Sequence, residues 1–502
     1  MNIKSFKSLF KGTSGDSIAL IVVRFITLLF GMLTTRILSG HFSRYEYGTY
    51  SQAMLLVTTI SSITLLGMTD GINFFFCKEK DVQKRESYVA TVFSLQAIIS
   101  GIAAIVLFVC TIPLVKYFKN DELKSLMVFI AFLPALTNVI HLLQVLFISI
   151  GKAKSIAIRN FIVSIFRLVA MVLACYVFDN IIAMLVCTLI LDIVQVIYFL
   201  IILNINDCKI RIFKAKFDLV KEILGYCVPM AMFVMLNAVN RDLDKFVISA
   251  FENTEVLALY TNASKVLPFD LVMTAFITVL LPHITRFIAD KDFRKVEVLY
   301  KVFLEISCIS TGIMAIGAIV VAPELIVFLY SDKYFDGVYI FVLYIVVDII
   351  RVLGITLLLS ASGKTKMIMF ISFLTIALNL GLNIALYFSF GIIGPAIATV
   401  VVTFIGGIIL FGASARVIHS SVFKLFDWKY LLLFFIEALL TAILCYGIKE
   451  FFIFFEVHYI IRLICCYSIY CIIMLGLNIK RIFKDVTVIN EIKPQKRGQE
   501  AF

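Results

Sequence analysis

Charge is scarce in this chain. Asp, Glu, Lys and Arg make up 16% of its 502 residues, where an average soluble chain carries about 25%. With 62% of the residues hydrophobic and a mean hydropathy of +1.03, too little polar material remains to cover a soluble surface. That excludes a soluble enzyme, a nucleic-acid binder and a single-anchor receptor. Long polar connections are also missing. On one side of the chain the breaks between apolar stretches shrink to Phe178-Asp179-Asn180 and Glu252-Asn253-Thr254-Glu255. No external domain fits into such turns, so catalysis there would have to be assembled from helix ends. The eleven cysteines lack zinc-ligand spacing: nine fall in apolar stretches, and Cys77 and Cys208 lie in basic breaks. All are expected to be reduced, with Cys465-Cys466 packing as small apolar groups.

What is present is enough apolar sequence for about fourteen spans of roughly 20 residues each. The spans are expected near 16–38, 46–69, 88–114, 124–149, 154–177, 181–204, 222–250, 256–284, 300–329, 336–361, 365–388, 391–414, 428–448 and 456–478. The chain reads as an all-α polytopic membrane protein. Lys4, Lys7 and Lys11 before an apolar run resemble a signal peptide, but that run carries Arg24, continues past Leu33 and has no small-residue cleavage site. It is expected to remain as the first span.

The net charge of +12 follows from topology. Alternate breaks hold 31 Lys and Arg residues against 6 in the other set, and the positive-inside rule then predicts both termini in the cytoplasm and an even number of spans. The basic tail from Lys480 to Arg497 is expected to be a solvated end, or to meet anionic lipid.

An internal repeat organises the spans. Residues 36–53 align without a gap to 246–263, with Ser39/Ser249, Tyr50/Tyr260 and Ala53/Ala263 identical; Gly151-Lys152-Ala153-Lys154 aligns to Gly363-Lys364-Thr365-Lys366. The offsets, 210 and 212, agree. Six spans per repeat is even, so two parallel six-helix lobes are expected at 1–212 and 213–420, with 421–502 adding two helices and a tail. Such an architecture suits a transporter with a cleft between its lobes.

Several motifs resemble a known family: Tyr47-Gly48-Thr49-Tyr50-Ser51, Pro229, Asp244-Lys245-Phe246-Val247-Ile248, Tyr260-Thr261-Asn262-Ala263-Ser264-Lys265, and Gly391 to Thr399 around Gly394-Pro395-Ala396. In this order and spacing they are similar to the polysaccharide-lipid flippases, the Wzx-type exporters of the multidrug/oligosaccharidyl-lipid/polysaccharide (MOP) superfamily, over about 16–415. The resemblance implies a MATE-like fold. It also implies export of an undecaprenyl-pyrophosphate-linked oligosaccharide across a bacterial cytoplasmic membrane for surface polysaccharide synthesis. No cofactor, metal or nucleic acid is implied, and a coupling ion stays open between proton and sodium. The first, second, seventh and eighth spans would line a cationic cavity.

Ionisable groups within spans cost at least about 2.5–3.5 kcal/mol each, so each needs a partner or a use. Arg167 and Asp192 lie 12.5 residues either side of the turn between Asp179 and Asn180, hence at one depth; an ion pair is expected. Asp348 and Arg351 are spaced i,i+3. Asp242 and Lys265, 11.5 residues either side of the next such turn, are a further candidate pair. The candidate substrate residues are Arg24, Arg36, Arg241, Lys245 and Lys265 for phosphate, and Asn262 and Tyr260 for sugar, with Gln52, Asn237 and Asn240 as weaker candidates. Arg24 is the sharpest case. It lies eight residues into the first span, about 12 Å deep, with no acidic residue one turn away on its own helix. Its alternative use is snorkelling to the interface. His141 is expected to be packed rather than to relay protons.

Two other functions compete. A MATE-like ion-coupled drug antiporter would hold cations with acidic cavity residues, whereas these candidates are net basic. A membrane-embedded polymerase or ligase would need a sizeable external loop.

Overall fold

The computed structural model describes residues 14–205, 215–265 and 267–491, and the regular elements among them are all helices, with no strand. The helices are α1 Ser14–His41, α2 Arg44–Thr64, α3 Met68–Lys78, α4 Val82–Val109, α5 Thr111–Phe118, α6 Leu123–Ser149, α7 Ala153–Leu173 with a π-turn Ala174–Phe178, α8 Ile181–Ile205, α9 Val220–Phe251 and α10 Thr254–Ala263. Then follow α11 Leu271–Ala289, α12 Phe293–Val320, α13 Ala322–Tyr330, α14 Val338–Ile350, α15 Leu357–Ala361, α16 Thr365–Phe390, α17 Gly394–Val417, α18 Trp428–Phe454 and α19 Tyr459–Glu491. The ten described cysteines are all free.

Ten described stretches are long and apolar enough to cross a membrane, and one of them, Thr365–Val417, contains both α16 and α17. Three expected spans lie outside this set. Helix α1 includes residues whose side chains lie outside the described set, Arg24 among them. Helix α9 carries Arg241, Asp242, Asp244 and Lys245 within five positions. The expected span 256–284 is interrupted: α10 stops at Ala263 and α11 starts at Leu271, with Pro268 between them. Proline lacks the amide proton that a continuing helix needs and biases the residue before it away from helix. Lys265, which the sequence offers as a partner for Asp242, lies two residues past the end of α10. The spans expected at 300–329 and 336–361 are also broken, into α12 and α13 and into α14 and α15.

The repeat is visible in local geometry. Gly151 and Gly363 both have positive φ, +85° and +68°, the left-handed conformation that glycine adopts without strain. The amides of Gly151 and Lys152 donate to Ile148 and Phe147, and those of Gly363 and Lys364 to Ser360 and Leu359, the same bonds 212 residues on. At offset 210, Ser43 accepts from the Glu46 amide at 3.2 Å and Asn253 from the Val256 amide at 2.9 Å. Equivalent side chains thus cap α2 and α10.

The described chain divides into two compact units. One runs to Thr261 and takes in Leu329–Lys333; the other comprises Asn262–Phe328 and the residues from Tyr334 onward. The first reaches beyond the expected 1–212 lobe because α9 packs on α2 and α3.

Within the first unit, Asn120 is a hub. Its amide donates to Thr49 at 2.8 Å and Gln52 at 2.7 Å, and its oxygen accepts from Tyr45 at 3.1 Å. Gln52 in turn donates to the Phe118 carbonyl and to Thr254. Beside it, a Cβ on Gly48 would stand 2.3 Å from the Thr254 carbonyl oxygen, so the first turns of α2 and α10 meet only because residue 48 has no side chain. Gly48→Ala is therefore expected to lower thermal stability in detergent by about 1–3 kcal/mol. Gly40→Ala, with nothing within 4 Å of the added carbon, is its control. Equal melting of the two variants would refute the close approach.

In the second unit, α18 and α19 bury Tyr430, Phe434, Cys445, Tyr470 and Met474 against Ile309 and Ile313 of α12. The two added helices therefore share a core with the unit.

Candidate functional site

A cavity of about 620 Å³ opens inside the first unit, between α1, α2, α6, α7, α8 and α9. Thr27, Phe30, Gly31 and Thr34 line it from α1, and Tyr50, Met54, Thr58 and Ser62 from α2. These positions recur at three and four residues, so each helix presents one stripe. His141 and Gln144 come from α6, Asn160 and Arg167 from α7, Gln195 and Asp192 from α8.

Its floor is a linked polar chain across α7 and α8. Arg159 is 5% exposed and lines the cavity. One of its terminal nitrogens donates to Gln195 Oε1, the other to Asn160 Oδ1 at 2.7 Å, and the guanidinium lies 4.7 Å from the Phe199 ring centroid. Its Nε has no acceptor among the described residues. Gln195 donates to Asp192 Oδ1 at 3.0 Å, and Arg167 reaches the same oxygen at 3.4 Å with Nη2. Asp192 is buried while the Arg167 side chain is 46% exposed. One carboxylate thus meets Arg167 directly and Arg159 through Gln195.

Arg241 also lines the cavity and lies 3.2 Å from Asp242. Asp242 is taken up on its own helix, by Arg241 and by Lys245 at 2.7 Å. Asp244 accepts from the Tyr260 hydroxyl at 3.0 Å and from the Lys245 amide. Tyr260 is fully buried, so that bond ties α9 to α10. Arg36 is half-buried near the end of α1, Asn262 is buried, and Lys265 is exposed in the segment that separates α10 from α11. The side chain of Arg24 lies outside the described residues. Gln52 serves the Asn120 hub described above. In the second unit Asp348 accepts from Arg351 at 3.1 Å.

Arg159 is the residue that sequence reasoning missed. In sequence it stands near Lys152 and Lys154 like one more cation of a basic break, yet α7 begins at Ala153 and carries it inside. The available signal was Gln195 and Phe199, spaced i,i+4 on the next span and so on one face of it. Among the described residues no cluster of His, Cys, Asp or Glu could hold a metal ion.

Residues 33–339, more than half of the chain, match the model of a family described as polysaccharide biosynthesis protein. No curated protein matches the sequence. Among solved structures, a lipid II flippase, MurJ, in an inward closed conformation is similar at 18% identity with a TM-score of 0.73, over 93% of this chain and 100% of that one. An inward-facing multidrug resistance MATE family transporter of the MOP superfamily is similar at 14% identity and TM-score 0.66, over 80% and 98%. A MOP superfamily transporter from Pyrococcus furiosus, described as having a binding pocket of reversed polarity, is similar at 13% identity and TM-score 0.59, over 80% and 94%. At these identities the likeness establishes the fold: an all-helical membrane protein of the MurJ and MATE type.

Proposed function

We propose, from the premise that this chain belongs to the polysaccharide biosynthesis protein family, that it is a flippase for a lipid-linked oligosaccharide. The substrate is an undecaprenyl-pyrophosphate-linked oligosaccharide, moved from the cytoplasmic to the outer leaflet of a bacterial cytoplasmic membrane by alternating access of two six-helix lobes. The protein is then a transporter and not an enzyme. The observation that carries this reading is the chemistry of the first unit's cavity. Arg159, Arg167 and Arg241 line it against Asp192, the one acid among the described lining residues, with hydroxyls and amides from Thr27, Thr34, Thr58, Gln144 and Asn160. Guanidinium forks suit a diphosphate, and neutral donors and acceptors suit sugar hydroxyls. The volume, about 620 Å³, is in the usual range for one small-molecule site. A drug/cation antiporter would need the opposite balance of charge.

Deletion of the gene is expected to leave one lipid-linked oligosaccharide accumulating on the cytoplasmic leaflet. An unchanged distribution of all such lipids would overturn the reading. The same proposal fixes topology: fourteen spans with both ends inside. Asn180→Cys and Asn253→Cys in a cysteine-free background should react with an impermeant thiol reagent on sealed cells, and Lys214→Cys and Lys291→Cys should not. Labelling of the latter pair from outside would reverse the orientation.

A further inference from the structure

We propose that Arg159 and Arg167 form an oxyanion subsite for the phosphate of the lipid-linked substrate, and that Asp192 is the resident anion which this phosphate displaces from Arg167. The inference rests on the flippase reading and adds where the charge of the substrate is held.

Three observations lead to it. First, Arg159 is more than nine-tenths buried and lines the cavity, and its Nε is left without an acceptor among the described residues. An unpaired buried donor is unfavourable, and more so when it is charged, so the site is built for one more acceptor than the described residues supply. Secondly, the contact between Arg167 and Asp192 is single and long. Only Nη2 participates, at 3.4 Å, where a bidentate guanidinium–carboxylate pair has two bonds of about 2.7–2.9 Å. Arg167 is half exposed to the cavity and retains donors. Thirdly, Asp192 has a second holder. Gln195 donates to it at 3.0 Å, so it keeps a hydrogen bond when Arg167 turns away.

Gln195 bridges the two halves, because its oxygen accepts from Arg159 while its amide donates to Asp192. A phosphate entering between the guanidiniums brings more negative charge and more acceptor atoms than one carboxylate. It satisfies the orphan N–H of Arg159 and replaces the weak bond at Arg167. On release Asp192 reclaims Arg167, so neither state leaves that charge bare. The arrangement lowers affinity relative to a bare pair of arginines, which lets the substrate leave on the far side. No covalent step is involved.

The test uses the purified full-length protein in nanodiscs with three probes: inorganic pyrophosphate, a polyprenyl diphosphate and the corresponding polyprenol. Wild-type protein is expected to bind the two diphosphates competitively, the lipid form at least tenfold more tightly, and to bind the polyprenol far more weakly. Arg167→Gln should weaken both diphosphates tenfold or more, and Arg167→Lys should recover part of that because charge returns without the fork. Arg159→Lys, which keeps the buried charge but loses Nε, should weaken them as well. Asp192→Asn should tighten pyrophosphate binding several-fold, a gain that a merely structural role would not produce.

Undiminished binding in either Arg167→Gln or Arg159→Lys overturns the subsite, and so does unchanged or weaker binding in Asp192→Asn. Equal wild-type affinity for the lipid and the free diphosphate overturns its assignment to a lipid headgroup. Transport separates this failure from failure of the flippase reading. If wild-type protein binds the diphosphate yet moves no lipid-linked oligosaccharide in vesicles, the flippase reading fails and the subsite stands. If Arg167→Gln binds and transports as wild type does, the subsite alone fails.

Discussion

Arg24→Ala is expected to lower transport of the lipid-linked oligosaccharide by about ten- to a hundredfold while leaving the protein in the membrane at near-normal amount. The position argues for it. Thr27, Phe30, Gly31 and Thr34 of α1 line the cavity, and position 24 falls one turn before Thr27 on the same stripe. No acidic residue stands one turn away on its own helix. Losing a forked, charge-assisted pair with a phosphate costs about 1.5–3 kcal/mol, and about 3 kcal/mol corresponds to roughly a hundredfold. Arg24→Lys should rescue only in part. Transport by inside-out vesicles, normalised to protein in the membrane, checks both variants. A fully active Arg24→Ala protein would return the residue to snorkelling at the interface.

The largest effect on stability is expected at Glu324. Its carboxylate lies 3.8 Å from Lys449 Nζ and 3.9 Å from Arg462 Nε, with both the Glu324 and Lys449 side chains 6% exposed. Lys449 also donates to the Val320 carbonyl at 2.9 Å. The three charges belong to α13, α18 and α19, so this one carboxylate fastens both added helices to the rest of the second unit. Replacing it by Gln removes the negative charge that Lys449 and Arg462 both approach. Breaking a buried ion pair from one side costs about 3–5 kcal/mol, and Glu324→Gln should therefore melt well below wild type and accumulate poorly. Lys449→Gln should be milder, because Arg462 still answers the carboxylate. If Glu324→Gln melts with the wild type, the cluster does not hold these helices.

The helical membrane class was legible because hydropathy is additive along the chain: a run of apolar residues needs no partner to declare itself. The repeat was legible for a related reason. Gly151 and Gly363 and the caps Ser43 and Asn253 each act within a few residues of themselves, so equal local sequence produces equal local geometry. The proximity of Arg167 to Asp192 could be read because two helices joined by a three-residue turn have little freedom of register.

Tertiary structure decided the rest, wherever a side chain's role depended on residues far along the chain. Arg159 looks like one more loop cation until Gln195 and Phe199, 36 and 40 residues away, close over it. Gln52 looks like a sugar-binding amide until Phe118 and Thr254 claim it. Tyr260 looks like a cavity hydroxyl and is found donating to Asp244. The break between α10 and α11 could not be placed by hydropathy, since an apolar run does not report where its backbone stops being helical. Composition states that a charge in the membrane must be answered. Only packing states which group answers it, because that depends on distances of a few ångströms between segments that sequence order does not constrain.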